Sequence, residues 1–258
     1  DSWNPVNSRK FVDDVRQGLI EGFRLITKQG HSAAVGTTFV PISNANAYQT
    51  PIAAASLEFI SSDTADALDD VGAREITITG LDANWDEQTV VVAAHATDGL
   101  VAVAIPSTWI RFDRATVSSS GTYASTTAGS HAGTITIRQS GGGVTWGVIS
   151  IAGGFPHSET QNGIFAVPAG HIAFIGNIYF GVDSGKTVNI YGLRRSNGND
   201  VTTPYSGVRK VFTEMTGLTA TATLWQNSWR GNFTEYTDVG FMANVDTTAA
   251  LRTVDYEI

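Results

Sequence analysis

The chain of 258 residues contains no cysteine. Neither a disulfide framework nor a thiolate metal site is therefore available, and the fold must stand on burial and hydrogen bonding alone. That suits assembly in a reducing cytoplasm. Charged side chains are also scarce, at 16% where about a quarter is usual. Basic residues are the scarcer sign: sixteen Lys and Arg stand against twenty-four Asp and Glu, for a net charge of −8. They gather only in the pairs Arg9-Lys10, Arg194-Arg195 and Arg209-Lys210. A concentrated basic face for phosphate is missing, so direct contact with nucleic acid is not expected. No apolar run approaches the length that spans a bilayer, and the N-terminus shows no signal-peptide pattern, so a soluble chain without membrane attachment is expected.

Gly, Ser, Thr, Ala and Asn fill the space that charge leaves, a composition that favours strands and tight turns over surface helices. The stretch "GLDANWDEQTVVV", Gly80 to Val92, sets Asp82, Asn84 and Asp86 at alternate positions, as an EF-hand calcium loop begins. Such a loop needs glycine at its sixth position and a bidentate glutamate at its twelfth. Glu87 and Ala93 stand there instead. The flanks alternate β-branched residues at period two, so the stretch reads as a hairpin turn.

Strand patterns continue from Leu57 to the C-terminus. Ile76 and Ile78, Ile135 and Ile137, and Val254, Tyr256 and Ile258 each alternate with polar residues, giving one buried and one wet face. The runs "TVVVAAH", "TWGVISIAG", "HIAFIGNIYFGV" and "TVNIYGLRR" are more continuously apolar, as in strands covered on both faces. About a dozen short strands without alternating helices predict a mainly β protein, an antiparallel jelly-roll-like β-sandwich over residues 51–258.

The preceding residues, 1–50, read as an amphipathic helix and an extended arm. Phe11, Val15, Leu19, Phe23 and Ile26 form an apolar stripe between Ser8 and Gln29, with Gly18 and Gly22 weakening it. Either the helix covers the sandwich or its stripe is an assembly interface, in which case deleting residues 1–50 leaves a folded body that no longer binds its partner. The tract "VSSSGTYASTTAGSHAG" reads as a long loop.

Chemistry-bearing patterns are few. Gly30-His31-Ser32-Ala33-Ala34 comes within one residue of an esterase nucleophile elbow, but a helix before it and an arm after it invert the strand-to-helix context that the motif needs. The histidines at 31, 95, 131, 157 and 171 show no metal-ligand spacing. Asp63, Asp66, Asp69 and Asp70 crowd one loop, which reads as a solvated turn before a calcium site. Trp225, Trp229 and Phe233 are four apart in "LWQNSWRGNFTEY". Exposed, they would form an aromatic surface for a host-surface glycan; large aromatics pointing one way more often fill a core. No catalytic, metal-binding or cofactor-binding set emerges.

The ordered segments "GAREITITGLDANWDEQTVVVAAH", "PSTWIRFDRATV", "HAGTITIR" and "GIFAVPAGHIAFIGNIYF", spanning roughly Ser56 to Arg195, resemble structural proteins of tailed bacteriophage virions. That resemblance implies a non-enzymatic jelly-roll sandwich without cofactors that assembles into virus particles. Its position would be the outer capsid surface, as a decoration or cement protein, with the neck, tail or a fibre as the alternative. The partners implied are further copies of itself, often three, and the major capsid protein or another virion protein.

Overall fold

In the computed structural model the described residues are 13–121, 129–151, 156–176, 178–183, 187–219, 223–225, 230–245 and 252–257, with residues 223–225, 230–231 and 252–257 described through their backbone. They form antiparallel sheets around two main hydrophobic cores.

The first core belongs to a continuous stretch of chain. Strands β3 (Ala55–Ser61), β6 (Val103–Trp109), β8 (Ile135–Gln139) and β9 (Thr145–Ile149) make a sheet of order β6-β3-β8-β9. It faces a second sheet of order β5-β4-β7, made of β4 (Ala73–Leu81), β5 (Glu87–Ala93) and β7 (Arg111–Ser120). Leu57, Ile105, Trp109, Ile135 and Ile137 from one sheet meet Ile76, Ile78, Phe112 and Ala115 from the other, all buried. The alternation read at Ile76/Ile78 and Ile135/Ile137 thus points the way the pattern requires. Gly147 of β9 lies where a Cβ would collide with the Phe112 ring, so glycine there lets the two sheets close.

The second core draws on both ends of the sequence. Strands β1 (Gln29–Val35), β12 (Ile178–Val182), β15 (Thr223–Trp225) and β18 (Arg252–Glu257) give the order β1-β18-β12-β15. Opposite them, β10 (Phe165–Ala166), β13 (Thr187–Arg195), β14 (Arg209–Thr219) and β17 (Asp238–Asn244) give β10-β17-β13-β14, with β2 (Val40–Pro41) also on β17. The pair β11 (Ile172–Ile175) and β16 (Arg230–Thr234) stands beside them. Val35, Ile42, Ile178, Phe180, Ile190 and Phe241 fill the space between, and the Phe180 and Phe241 rings meet edge to face at 5.2 Å. The first sandwich therefore sits as an insertion between β2 and β10. A small third cluster, Leu81, Trp85, Ile110 and Ala166, joins the two bodies.

Four expectations change. The helix from Ser8 to Gln29 is reduced, among the described residues, to Asp13–Arg16; Gly18 and Gly22 take φ of +71° and +79°, and residues 19–28 carry no helix. Left-handed glycines end a helix readily, and an apolar stripe alone does not prevent it. The stretch to Pro51 is not a free arm either, since β1 pairs with β18 from Gln29↔Glu257 to Val35↔Arg252 and Ile42 is fully buried. "TVVVAAH" is not covered on both faces: β5 is an edge strand and Val91 is 58% exposed. The low-complexity tract enters β7, which runs through Ser120, and residues 122–128 lie outside the described residues.

Candidate functional site

The turn at Gly80–Val92 is a hairpin. The Asp82 carboxylate accepts the backbone N–H groups of Asn84 at 2.8 Å and Asp86 at 3.0 Å, and the Asp82 N–H donates to the Asp86 carbonyl. The carboxylate thus organises its own backbone, as an Asx turn does. This turn presents Trp85, at φ +67° and 3% exposed, to the junction between the two cores.

There Trp85 lies against an ion pair invisible in the sequence pattern. The Arg111 guanidinium sits 4.4 Å from the Trp85 ring centroid and grips Asp238 with two bonds, Nε to Oδ1 at 2.7 Å and Nη2 to Oδ2 at 3.0 Å. Arg111 Nη1 donates to the Ile110 carbonyl at 2.8 Å, and the Tyr48 hydroxyl donates to Asp238 Oδ1 at 2.8 Å. Burial, then the Asp238 charge, push the Tyr48 hydroxyl well above its ordinary range. Burial would lower Arg111, but the bonds to Asp238 outweigh it and the guanidinium stays charged. With its donors and acceptors matched, this set locks β7 of the first body to β17 of the second.

The acidic loop behaves likewise. Asp66 is 3% exposed; its carboxylate accepts the N–H groups of Ala73, Ala132 and Gly133 at 2.8, 2.7 and 2.9 Å and the Ser61 hydroxyl. Asp63 caps the Ala65 N–H and Asp70 the Val71 N–H. Asp66 is thus an internal anchor for two loops, not a solvated charge. Among the described residues, no three His, Asp or Glu side chains gather as a metal site would need.

Ser32 is fully buried within β1 and its Oγ donates to Asn46 Oδ1 at 2.7 Å. A strand interior offers neither the exposed hydroxyl nor the sharp turn of a nucleophile elbow. His131, 3% exposed, holds the Gly133 carbonyl at 2.7 Å through Nδ1 and accepts the Ser158 N–H at Nε2, 3.4 Å away. Burial lowers its pKa, His157 lowers it further, and the Gly133 carbonyl and Asp66 oppose them. The neutral ring is the folded form. As pH falls below about 6.5, the unfolded chain binds a proton that folded His131 resists. Its contribution to stability is therefore complete above that pH and is lost as pH drops through the lowered folded value. Thermal midpoints at pH 7.5 and 5.5 should fall further in the wild type than in His131→Gln; equal falls would assign the acid sensitivity elsewhere.

The expected assembly stripe divides. Val15 is buried, Ile26 half-buried, and Leu19 and Phe23 are 67% and 51% exposed, while Phe11 lies outside the described residues. Past Phe23, residues 24–27 run along β4, β5 and β7 and help to line a cleft of about 360 Å³. Arg24 pairs with Glu87, and Arg114 donates to the Thr27 carbonyl. Of the aromatic set, Phe233 is 2% exposed and its ring meets Phe212 at 5.4 Å, so it belongs to the second core. Trp225 ends β15 opposite Ile178, and Trp229 lies outside the described residues.

No helix among the described residues is long and apolar enough to cross a membrane. No protein-family model matches the chain, and no curated protein matches it. What is established is a mainly β protein of antiparallel sheets, in which the Arg111–Asp238–Tyr48 cluster joins the two bodies.

Proposed function

We propose that the protein is a non-enzymatic structural component of tailed-phage virions, most simply a decoration or cement protein on the outer capsid surface, acting as a homotrimer that contacts the major capsid protein. The observation that carries the reading is the strand order of the second body. The orders β1-β18-β12-β15 and β10-β17-β13-β14 set the first strand beside the last in one sheet, which supports a jelly-roll winding, an architecture common in viral shells and in lectins. Fold alone does not give function, but the ordered segments resembling virion proteins point the same way.

Physical chemistry supports it. An acidic chain is repelled by packaged DNA, which favours the outside of a shell. The leading segment is pinned to the body at Arg24 and Lys28 yet turns Leu19 and Phe23 outward, a disposition suited to seating on a neighbour. A glycan-binding role has less support, because Phe233 is spent on the core.

Quantitative mass spectrometry of purified particles is the test. Copy number near that of the shell protein, or a simple lattice fraction of it, is expected. A trace copy number would move the protein to the neck or tail, and absence from particles would overturn the virion reading.

A further inference from the structure

Where the leading segment enters β1, a buried amine faces a carboxyl group. Lys28 is 3% exposed, and its Nζ lies 2.7 Å from Asp113 Oδ1 and 2.6 Å from the Asp113 carbonyl oxygen. A nitrogen that close to one carboxylate oxygen has the carboxyl carbon about 3–4 Å away, near the separation of about 3–3.5 Å at which such atoms react. A second carboxyl group is close by. Glu159 forms a backbone bridge to Thr116 of the same strand β7, acts electrostatically on Lys28, and sits 3.9 Å from Arg114. Arg114 in turn donates to the carbonyl of Thr27, next to Lys28. Amine, acceptor carboxyl and a third ionisable group are thus held together by β7 and the segments crossing it.

We propose that Lys28 and Asp113 condense into an intramolecular amide bond, with Glu159 as the proton-transfer group. The ammonium first gives a proton to the Asp113 carboxylate, leaving a neutral amine and a neutral acid. The Nζ lone pair then attacks Asp113 Cγ, forming the C–N bond. Glu159 accepts the proton released by nitrogen and returns it to the departing hydroxyl, the C–O bond breaks, and water leaves. An ammonium and a carboxylate become an amide and one water, Glu159 is regenerated, and no oxidant or activating cofactor is consumed. Burial assists the first step: it is the largest influence on Lys28 and lowers its pKa from the usual 10.5, against the opposing pull of Asp113.

The bond would fasten residue 28, where the leading segment ends and the second body begins, to the first body. It is independent of any role in a virion. The experiment is the intact mass of the purified full chain under denaturing conditions, followed by peptide mapping. A mass one water (about 18 Da) below that of the sequence is expected, with a branched peptide joining the segments that carry Lys28 and Asp113. Lys28→Arg and Asp113→Ala should both restore the full mass, and Glu159→Gln should leave a large uncondensed fraction. Because the wild-type mass is read on denatured protein, it decides the matter even where a variant folds poorly. A full-mass wild type would reduce the contact to an ordinary ion pair. A water loss that persists in Lys28→Arg would place the dehydration elsewhere, at Asp98-Gly99 for example, and would equally overturn the assignment.

Discussion

A chain beginning at Lys28 is expected to keep both cores, whereas one beginning at Pro51 is expected to lose the second. Among the described residues, the shorter deletion removes the exposed Leu19 and Phe23, the half-buried Ile20 and Ile26 and a single buried aliphatic, Val15. Burial of that size contributes only about 3 kcal/mol. The longer deletion removes β1, which leaves β18 without its outer neighbour, and takes away Val35 and Ile42, both 0% exposed at the centre of the second core. It also removes Tyr48 from Asp238. Each buried aliphatic lost costs about 2–5 kcal/mol, so the sum reaches the whole stability of an ordinary domain, about 5–15 kcal/mol. Hydrogen exchange read by mass spectrometry checks this directly. Protection should vanish across residues 164–257 and persist across 55–149. Native-like protection in both regions of the Pro51 chain would show that β1 is an accessory strand, and would bring back the reading of residues 1–50 as a detachable arm.

Asp238→Ala should be the most damaging single substitution at the junction, costing about 3–5 kcal/mol, because it leaves a buried guanidinium without its counter-charge. For a chain of this size that is a fall in thermal midpoint of roughly 10 °C. Arg111→Met should also destabilise, since it strands the Asp238 carboxylate at 6% exposure. The double variant Arg111→Met with Asp238→Leu should fall between wild type and Asp238→Ala. It buries no lone charge, but it leaves the Tyr48 hydroxyl and the Ile110 carbonyl without partners. Glu87→Gln is the control. Its partner Arg24 is 53% exposed along the side chain, and exposed pairs contribute about 0–1 kcal/mol. Midpoints from thermal melts of the wild type and the four variants decide the point. If Asp238→Ala melts with the Glu87→Gln control, the ion pair does not hold the cores together.

What could be read in the sequence was local. The Gly80–Val92 hairpin was legible because Asp82 satisfies the backbone of its own turn, and the period-two alternation in β4 and β8 because each has one face on a core. The helix expected to reach Gln29 stops early: a 3.6-residue apolar rhythm persists through Gly18 and Gly22, but the helical backbone does not. "HIAFIGNIYFGV" looked like one strand and is two, β11 and β12, which go to different sheets. The insertion of one sandwich into the other left no mark, because both have the same strand-forming composition. The Arg111–Asp238 joint and the Lys28–Asp113 contact link residues 127 and 85 positions apart, and no short-range pattern encodes a partner at such a distance.

The insertion also sets a timetable for the nascent chain. All strands of the first body lie within Ala55–Ile149 and can pair once that stretch has left the ribosome. Gln29, by contrast, must wait for Glu257, a delay of roughly ten seconds or more at about 5–20 residues per second. During that interval β1 is without its mate and the core residues Val35 and Ile42 without their cover, tethered to a neighbour that has already folded. That places the hazard of aggregation during synthesis in the residues around Val35 and Ile42, and gives the inserted body a second use as a solubilising anchor for the unfinished one.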